Sequence, residues 1–175
     1  VSGRRRLALV TVLVLVTATG AVPFRTNVLP EIVRIAFAIE KREIVYAWGG
    51  GHAEDPGPSK GTCLGYTGRI KPCPAADTRG LDCSGFTRWV YALAHGADVL
   101  GPGNTDDHVQ KMRRVRIARP GDLVFFGKIT KKRVKTHHVG IYLGDGKMIN
   151  APETGAVVRV DPIGRIRDFA GFYRL

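Results

Sequence analysis

The sequence predicts an α+β fold in which helices come first and an antiparallel β-sheet follows. Segment 84–95 repeats apolar residues at helical spacing, and after Pro120-Gly121-Asp122 the chain changes to short extended runs separated by turns. The length of 175 residues, 44% apolar and 24% charged, suits one domain with a single core.

The first segment stands apart. Val1 to Arg6 ends in three arginines, Leu7 to Ala18 is almost unbroken apolar sequence, and small residues follow at Ala18, Gly20 and Ala21. This reads as a secretory signal peptide over 1–21, the alternative being an uncleaved N-terminal anchor. The apolar run is short for a membrane span, which needs about 20 residues. A linker over 22–30 and a folded domain over 31–175 follow.

Pro30 to Arg42 reads as a helix, with Pro30 suited to its first turn. Ile44 to Trp48 is a short extended piece ended by Gly49-Gly50-Gly51. Residues 53–80 form a loop insertion rich in Gly, Pro and polar residues; a loop this long is functional or stapled. Ser84 to His95 is the clearest helix, with Phe86, Trp89, Val90, Leu93 and Ala94 as one buried stripe and Gly96 as its stop. Thr105 to Arg114 is a weaker helix. Leu123–Phe126, Val139–Leu143, Lys147–Ala151, Ala156–Val160 and Phe169–Leu175 are the expected strands.

The formal net charge of +12 attracts polyanions. For an exported protein these are anionic wall polymers or lipid headgroups; the export signal argues against nucleic acid. Lys128, Lys131, Lys132, Arg133 and Lys135 crowd one loop. Outside the cytosol, two of the three cysteines can pair. Cys63 with Cys73 is the simplest pairing and leaves Cys83 free. The alternative, a zinc site built from the three thiols and a histidine, lacks the short spacing of structural zinc knuckles.

Cys83 carries the chemistry. Asp82 is a good N-cap, which places Cys83 at the first helical position. A helix N-terminus favours the nucleophilic thiolate, whereas the Asp82 carboxylate disfavours it, so Cys83 needs a cationic partner. The thiol leans toward the packing face of its helix, and an inert buried cysteine is the alternative. The partner expected is His138. Alternation puts His138, Gly140 and Tyr142 on one strand face, and Gly140 leaves room for thiol and imidazole to approach. His52, His95, His108 and His137 read as solvated polar residues. A three-residue loop at Gly144-Asp145-Gly146 with left-handed Gly146 pairs 143 with 147 and puts Asn150 opposite Gly140. The Asn150 amide oxygen would then accept the His138 Nδ1–H, leaving Nε2 to take the thiol proton. A strand-end Asn bonded only to backbone is the alternative.

Gly80-Leu-Asp-Cys-Ser-Gly-Phe86, Arg119-Pro-Gly-Asp-Leu-Val-Phe-Phe126, His138-Val-Gly-Ile-Tyr-Leu-Gly144 and the upstream Tyr46-Ala-Trp-Gly-Gly50 together resemble the NlpC-type peptidoglycan peptidases. The resemblance covers roughly 31–175. It implies a papain-like α+β core and a Cys-His-polar triad on Cys83, His138 and Asn150. It also implies that Tyr46, Asp82 and Ser84 hold the substrate's peptide end and help the oxyanion. The substrate class implied is peptidoglycan stem peptides, cut mostly at γ-D-glutamyl–diaminopimelate or its lysine equivalent. Three departures stand out: Asn at the third triad position, where His is commoner; Val45 where Pro is common; and the long 53–80 stretch, placed to narrow or lid the cleft.

The expectation is therefore a monomeric secreted or wall-associated thiol peptidase working through a thioester without metal or cofactor. Its rivals are an amidase or acyltransferase with the same triad, a non-catalytic wall-binding protein, and a basic nucleic-acid binder.

Overall fold

The computed structural model describes residues 27–175. The segment read as a signal peptide, 1–21, lies outside the described residues. Among the described residues, no helix is long and apolar enough to cross a membrane.

Helix α1 (Leu29–Glu40) has Pro30 in its first turn and buries Leu29, Ile32, Ile35, Ala36 and Ile39, one stripe at helical spacing. Helix α2 (Cys83–His95) starts where the Asp82 side chain accepts the Gly85 N–H at 2.7 Å and ends at left-handed Gly96. Its buried face is rotated from the one expected. Phe86, Val90 and Ala94 are inside, but Thr87 and Tyr91 complete the stripe while Leu93 is 52% exposed. Tyr91 earns the inner position with its hydroxyl, which donates to Gly121 O at 2.8 Å.

Helix α3 (Thr105–Gln110) is opened by an Asn104–Asp107 capping box and is shorter than expected. Arg113 and Arg114, read as its end, instead belong to strand β3 (Arg113–Val115). Pairing with a sheet edge overrides helical propensity there. A six-stranded sheet follows in the order β3-β8-β4-β5-β6-β7, antiparallel at every pairing. Its members are β4 (Leu123–Ile129), β5 (Val134–Gly144), β6 (Lys147–Asn150), β7 (Arg159–Pro162) and β8 (Phe169–Arg174). The strand expected over 156–160 begins later, at Arg159, with Val157 making only an isolated bridge to Val45. Alternation sorts the two sheet faces. Leu123, Phe125, Val139, Ile141, Ile149 and Tyr173 join α1 and α2 in the main core. Val124, Phe126 and Met148 form a second cluster on the other face. The α+β expectation stands, with helices on one face of an antiparallel sheet.

The β5–β6 hairpin reaches the expected register by a different turn. Asp145 and Gly146, both at positive φ, make a two-residue loop closed by Gly144 and Lys147, and one extra residue is inserted between Tyr142 and Gly144. The bulge cancels the parity change of the shorter loop. Ile141 faces Ile149, and the next step along the ladder brings Asn150 beside Gly140. Gly140 therefore makes room for Met148 and Asn150 across the ladder, not for α2.

The 53–80 insertion is ordered. Strands β1 (Ser59–Lys60) and β2 (Arg79–Gly80) pair at its base, a 3₁₀ turn spans Pro74–Ala76, and Cys63 is bonded to Cys73. The fully buried Arg88 guanidinium ties this segment to α2. It donates to Gly51 O, Ala53 O and Glu54 O at 2.7–3.0 Å and pairs with Asp98 at 2.7 Å. Every donor finds an acceptor, which makes burial of the charge tolerable.

The start of α2 touches the triple-glycine loop backbone to backbone. A methyl group at Gly85 would collide with Gly50 O and lie 2.8 Å from Gly51 Cα. Gly85→Ala should therefore lower stability by about 1–3 kcal/mol, the usual cost of overpacking, as read by urea denaturation. An unchanged midpoint would mean that the loop yields freely.

Candidate active site

The first turn of α2 presents Cys83 beside β5. The β5–β6 ladder runs to the end of β6 at Asn150, and α2 packs against β5, whose Val139, the residue after His138, lies in the same core cluster as Cys83. Cys83 and His138 are both buried, at 7% and 6% exposure. Burial, then the Asp82 charge, pushes the Cys83 thiol up to about 12, although the amides of Val139, Ser84 and Cys83 itself pull the other way. Burial pushes the His138 imidazole down to about 4, with the Asn150 hydrogen bond and the charges of Asp161 and Asp82 opposing and His137 adding to the fall. At neutral pH each group is accordingly uncharged, a thiol and an imidazole.

His138 Nε2 lies 2.8 Å from Asn150 Oδ1. The orientation of that amide is set by its other end, where Nδ2 donates to Asp161 Oδ2 at 3.1 Å and to Arg159 O at 3.3 Å. With Nδ2 facing two acceptors, Oδ1 must face the ring, and Nε2 must carry the proton. This corrects the expected tautomer. The nitrogen that Asn150 engages is Nε2, and the lone pair is on Nδ1. The register is the expected one; what differs is which ring nitrogen is turned toward Asn150, whose amide Asp161 and Arg159 hold.

The other expected site residues gather at the same helix end. The Asp82 carboxylate accepts from Gly85 N and, at 2.9 Å, from Ser84 Oγ. Tyr46 is 9% exposed, and burial, then the charges of Cys83 and Asp82, hold its phenol in the protonated, donating form.

Two histidines read as solvated polar residues are not. His52 places Nε2 at 2.9 and 3.0 Å from the Asp82 oxygens and Nδ1 at 2.9 Å from Pro102 O. Both partners only accept, so the ring holds two protons. Burial works against the charge, but the Asp82 bond and charge outweigh it and the pKa is raised. Its contribution is thus present below the ordinary histidine value and lost as pH rises through the raised one. Only the position of His52, directly after three glycines, hinted at this role. His108 is fully buried, its Nε2 bonded to Gly101 O and its Nδ1 unpartnered. His95 is half-buried and stacked on Tyr91, while His137 is exposed and paired with Asp168.

Two adjoining hollows share Tyr46, Trp48 and His137. One reaches Cys83, Asp82 and Ser84; the other reaches His138 and Glu153. The disulfide-closed loop lines both, with Leu64 in the first and Tyr66, Thr67 and Gly68 in the second. Trp48 braces this wall, donating Nε1–H to Leu64 O at 2.8 Å and meeting Tyr66 edge-on at 5.4 Å. The insertion is thus a side wall of the cleft. With Cys63 and Cys73 bonded to each other, the three-thiol zinc alternative is removed.

The NlpC/P60 family matches residues 43–166. Peptidoglycan endopeptidase RipB of Mycobacterium tuberculosis is 36% identical over 122 residues, which is 69% of this chain and 42% of RipB. Peptidoglycan endopeptidase RipA of the same organism is 35% identical over 122 residues, 69% of this chain and 22% of RipA. The chain spans less than half the length of these curated relatives. The solved structure of RipB superposes with a TM-score of 0.61 at 29% identity, covering 86% of this chain and 67% of that one. The solved structure of RipD from M. tuberculosis, described as a non-catalytic NlpC/p60 domain protein adapted to peptidoglycan binding, superposes at 0.57 with 28% identity, covering 82% and 96%.

His108 and His138, both lowered to about 4, make the fold acid-sensitive. An unfolded histidine takes its proton near pH 6.5, so on acidification the unfolded chain binds more protons and stability falls from 6.5 toward 4. Between pH 6.5 and 5 each should account for about 1.5 kcal/mol. Urea titrations at the two pH values should show a fall smaller by that amount in His108→Gln than in the wild type. An equal fall in both would disprove the neutral burial of His108.

Proposed function

The chain belongs to the NlpC/P60 family, and on that premise we propose that it is an extracytoplasmic cysteine endopeptidase of peptidoglycan stem peptides. The observation that carries the reading is the buried thiol at the start of α2, with the amide of Val139 among the groups acting on it, next in sequence to a histidine whose tautomer leaves Nδ1 basic.

In this reading the Cys83 sulfur attacks the scissile carbonyl carbon as its proton passes to His138 Nδ1. The uncharged resting pair suits this order, because the base is unprotonated and the thiol ionises only as the new bond forms. Backbone N–H groups of the first turn of α2, with the Tyr46 phenol, stand ready to stabilise the oxyanion. Collapse of the tetrahedral intermediate breaks the C–N bond, and the amine leaves with the proton from His138. Water, deprotonated by the same nitrogen, hydrolyses the thioester and restores the thiol. Asn150 holds the ring, and Tyr46, Asp82 and Ser84 hold the peptide end. The bond chosen is γ-D-glutamyl–diaminopimelate or γ-D-glutamyl–lysine, by likeness to the family. The lysine- and arginine-rich tip between β4 and β5 offers charge for anionic wall polymers, and residues 1–21 would direct export. No nucleic acid partner is proposed, and the working unit is a monomer.

A second reading is favoured by the likeness to RipD, which is described as non-catalytic. It would make this chain a peptidoglycan-binding domain. The presence of both Cys83 and His138 supports the enzyme instead.

Incubation with defined stem peptides, read by mass spectrometry, decides between them. Cleavage that disappears in Cys83→Ala is expected, and the fragment masses name the bond. The acid limb of kcat/KM should lie near pH 4 rather than near 6.5, because His138 stays an unprotonated base down to about 4. Binding without cleavage, unchanged by Cys83→Ala, would replace the enzyme with the wall-binding reading.

A further inference from the structure

The third triad position holds an amide, which can orient an imidazole but carries no charge to favour imidazolium. The network behind it supplies that charge. Asp161, on β7, is 6% exposed and stands one strand beyond β6. Its Oδ2 accepts the Asn150 Nδ2–H at 3.1 Å, and both of its oxygens take the Arg159 Nε–H, at 3.0 and 3.2 Å. Arg165 approaches Oδ1 at 4.0 Å. A line of hydrogen bonds thus runs from a buried carboxylate through one amide to the histidine ring.

We propose that Asp161 is a positioning residue that acts through Asn150 to keep the His138 proton on Nε2 and to favour the charged ring during turnover. This deepens the endopeptidase reading and rests on it. The geometry makes the case from the amide alone. Without an acceptor at Asp161, the Asn150 side chain keeps only the longer bond to Arg159 O. The amide could then turn its NH₂ toward His138, where it would pair with the opposite tautomer, and Nδ1 would hold the proton when the thiol needs a base. The charge acts in the same direction, since Asp161 is among the groups that raise His138. The other charged or titratable groups acting on the ring are Asp82, on the α2 side, which also raises it, and His137, on the same strand, which lowers it. The Phe126 ring, 5.8 Å away on β4, adds no charge.

The test separates orientation from charge. Asp161→Asn keeps an acceptor oxygen but removes the charge, and should lower kcat about tenfold, the equivalent of one pKa unit of imidazolium stabilisation, with KM unchanged. Asp161→Leu removes both and should lower kcat about a hundredfold, the lower end of what a positioned base contributes. Asn150→Asp placed in the Asp161→Leu background puts a carboxylate directly on His138 and should recover most of the loss. Asn150→Asp alone, which sets two carboxylates against each other, should not match the wild type. Iodoacetamide labelling of Cys83, the free thiol, is followed at pH 7 in every variant. It should slow in step with kcat, and it reports on the thiol and its base even if no stem peptide is cut, so failure of the endopeptidase reading is distinguishable from failure of this one. Wild-type kcat and labelling in folded Asp161→Leu would overturn the proposal. So would a loss that the Asn150→Asp change does not relieve while melting temperatures match. If Asp161→Leu fails to fold, wild-type rates in Asp161→Asn overturn the charge, and a tenfold loss at constant KM supports it.

Discussion

The Asp82 carboxylate is the contact on which the rest of the site depends. It caps Gly85 N and so decides where α2 begins, which in turn decides where Cys83 points. The same oxygens hold Ser84 Oγ and the doubly protonated His52 ring, and His52 reaches on to Pro102 O. One side chain therefore joins the triple-glycine loop, the helix start and the segment before α3. It is also a negative charge next to a sulfur whose ionisation it opposes. His52 offsets part of that conflict, because its ring is paired with the same carboxylate.

Burial shapes the electrostatics more than any single partner. Cys83 and His138 sit where water is scarce, and each is driven to its neutral form. Under the proposed mechanism, such a site keeps its thiol protonated until a carbonyl arrives. The backbone amides around the sulfur are preorganised dipoles, and they cost no reorganisation when charge develops.

Much of this was legible in the sequence, for reasons tied to local rules. Asp82 announced a helix start, and the structure begins α2 at Cys83 as expected. Strand periodicity and the Asp145-Gly146 turn led to Asn150 beside Gly140, although the turn itself was misread. A bulge and a shortened loop compensate, and periodicity registers only their sum. The tautomer was not legible, because it depends on Asp161 and Arg159, which reach Asn150 only when β7 pairs with β6. His52 and His108 were missed for a related reason. His52 follows a glycine loop and His108 sits in a short helix, neither with a periodicity that marks burial, and their partners lie 30 and 7 residues away in directions that no local pattern encodes. Leu93 shows the opposite failure. Helical spacing offered it as core, but Tyr91, with its hydroxyl bonded to Gly121 O, took the inner face.

The ring closed by Cys63 and Cys73 is anchored at its root by the short β1–β2 ladder and by Arg88, and none of its residues belongs to either hydrophobic cluster. It is in effect a detachable rim on a fixed bowl. Drift in residues 64–72 would leave the fold's foundations untouched while altering the width of the cleft that the proposed substrate would enter. Lineages sharing this scaffold can thus diversify in what they admit without renegotiating how they hold together.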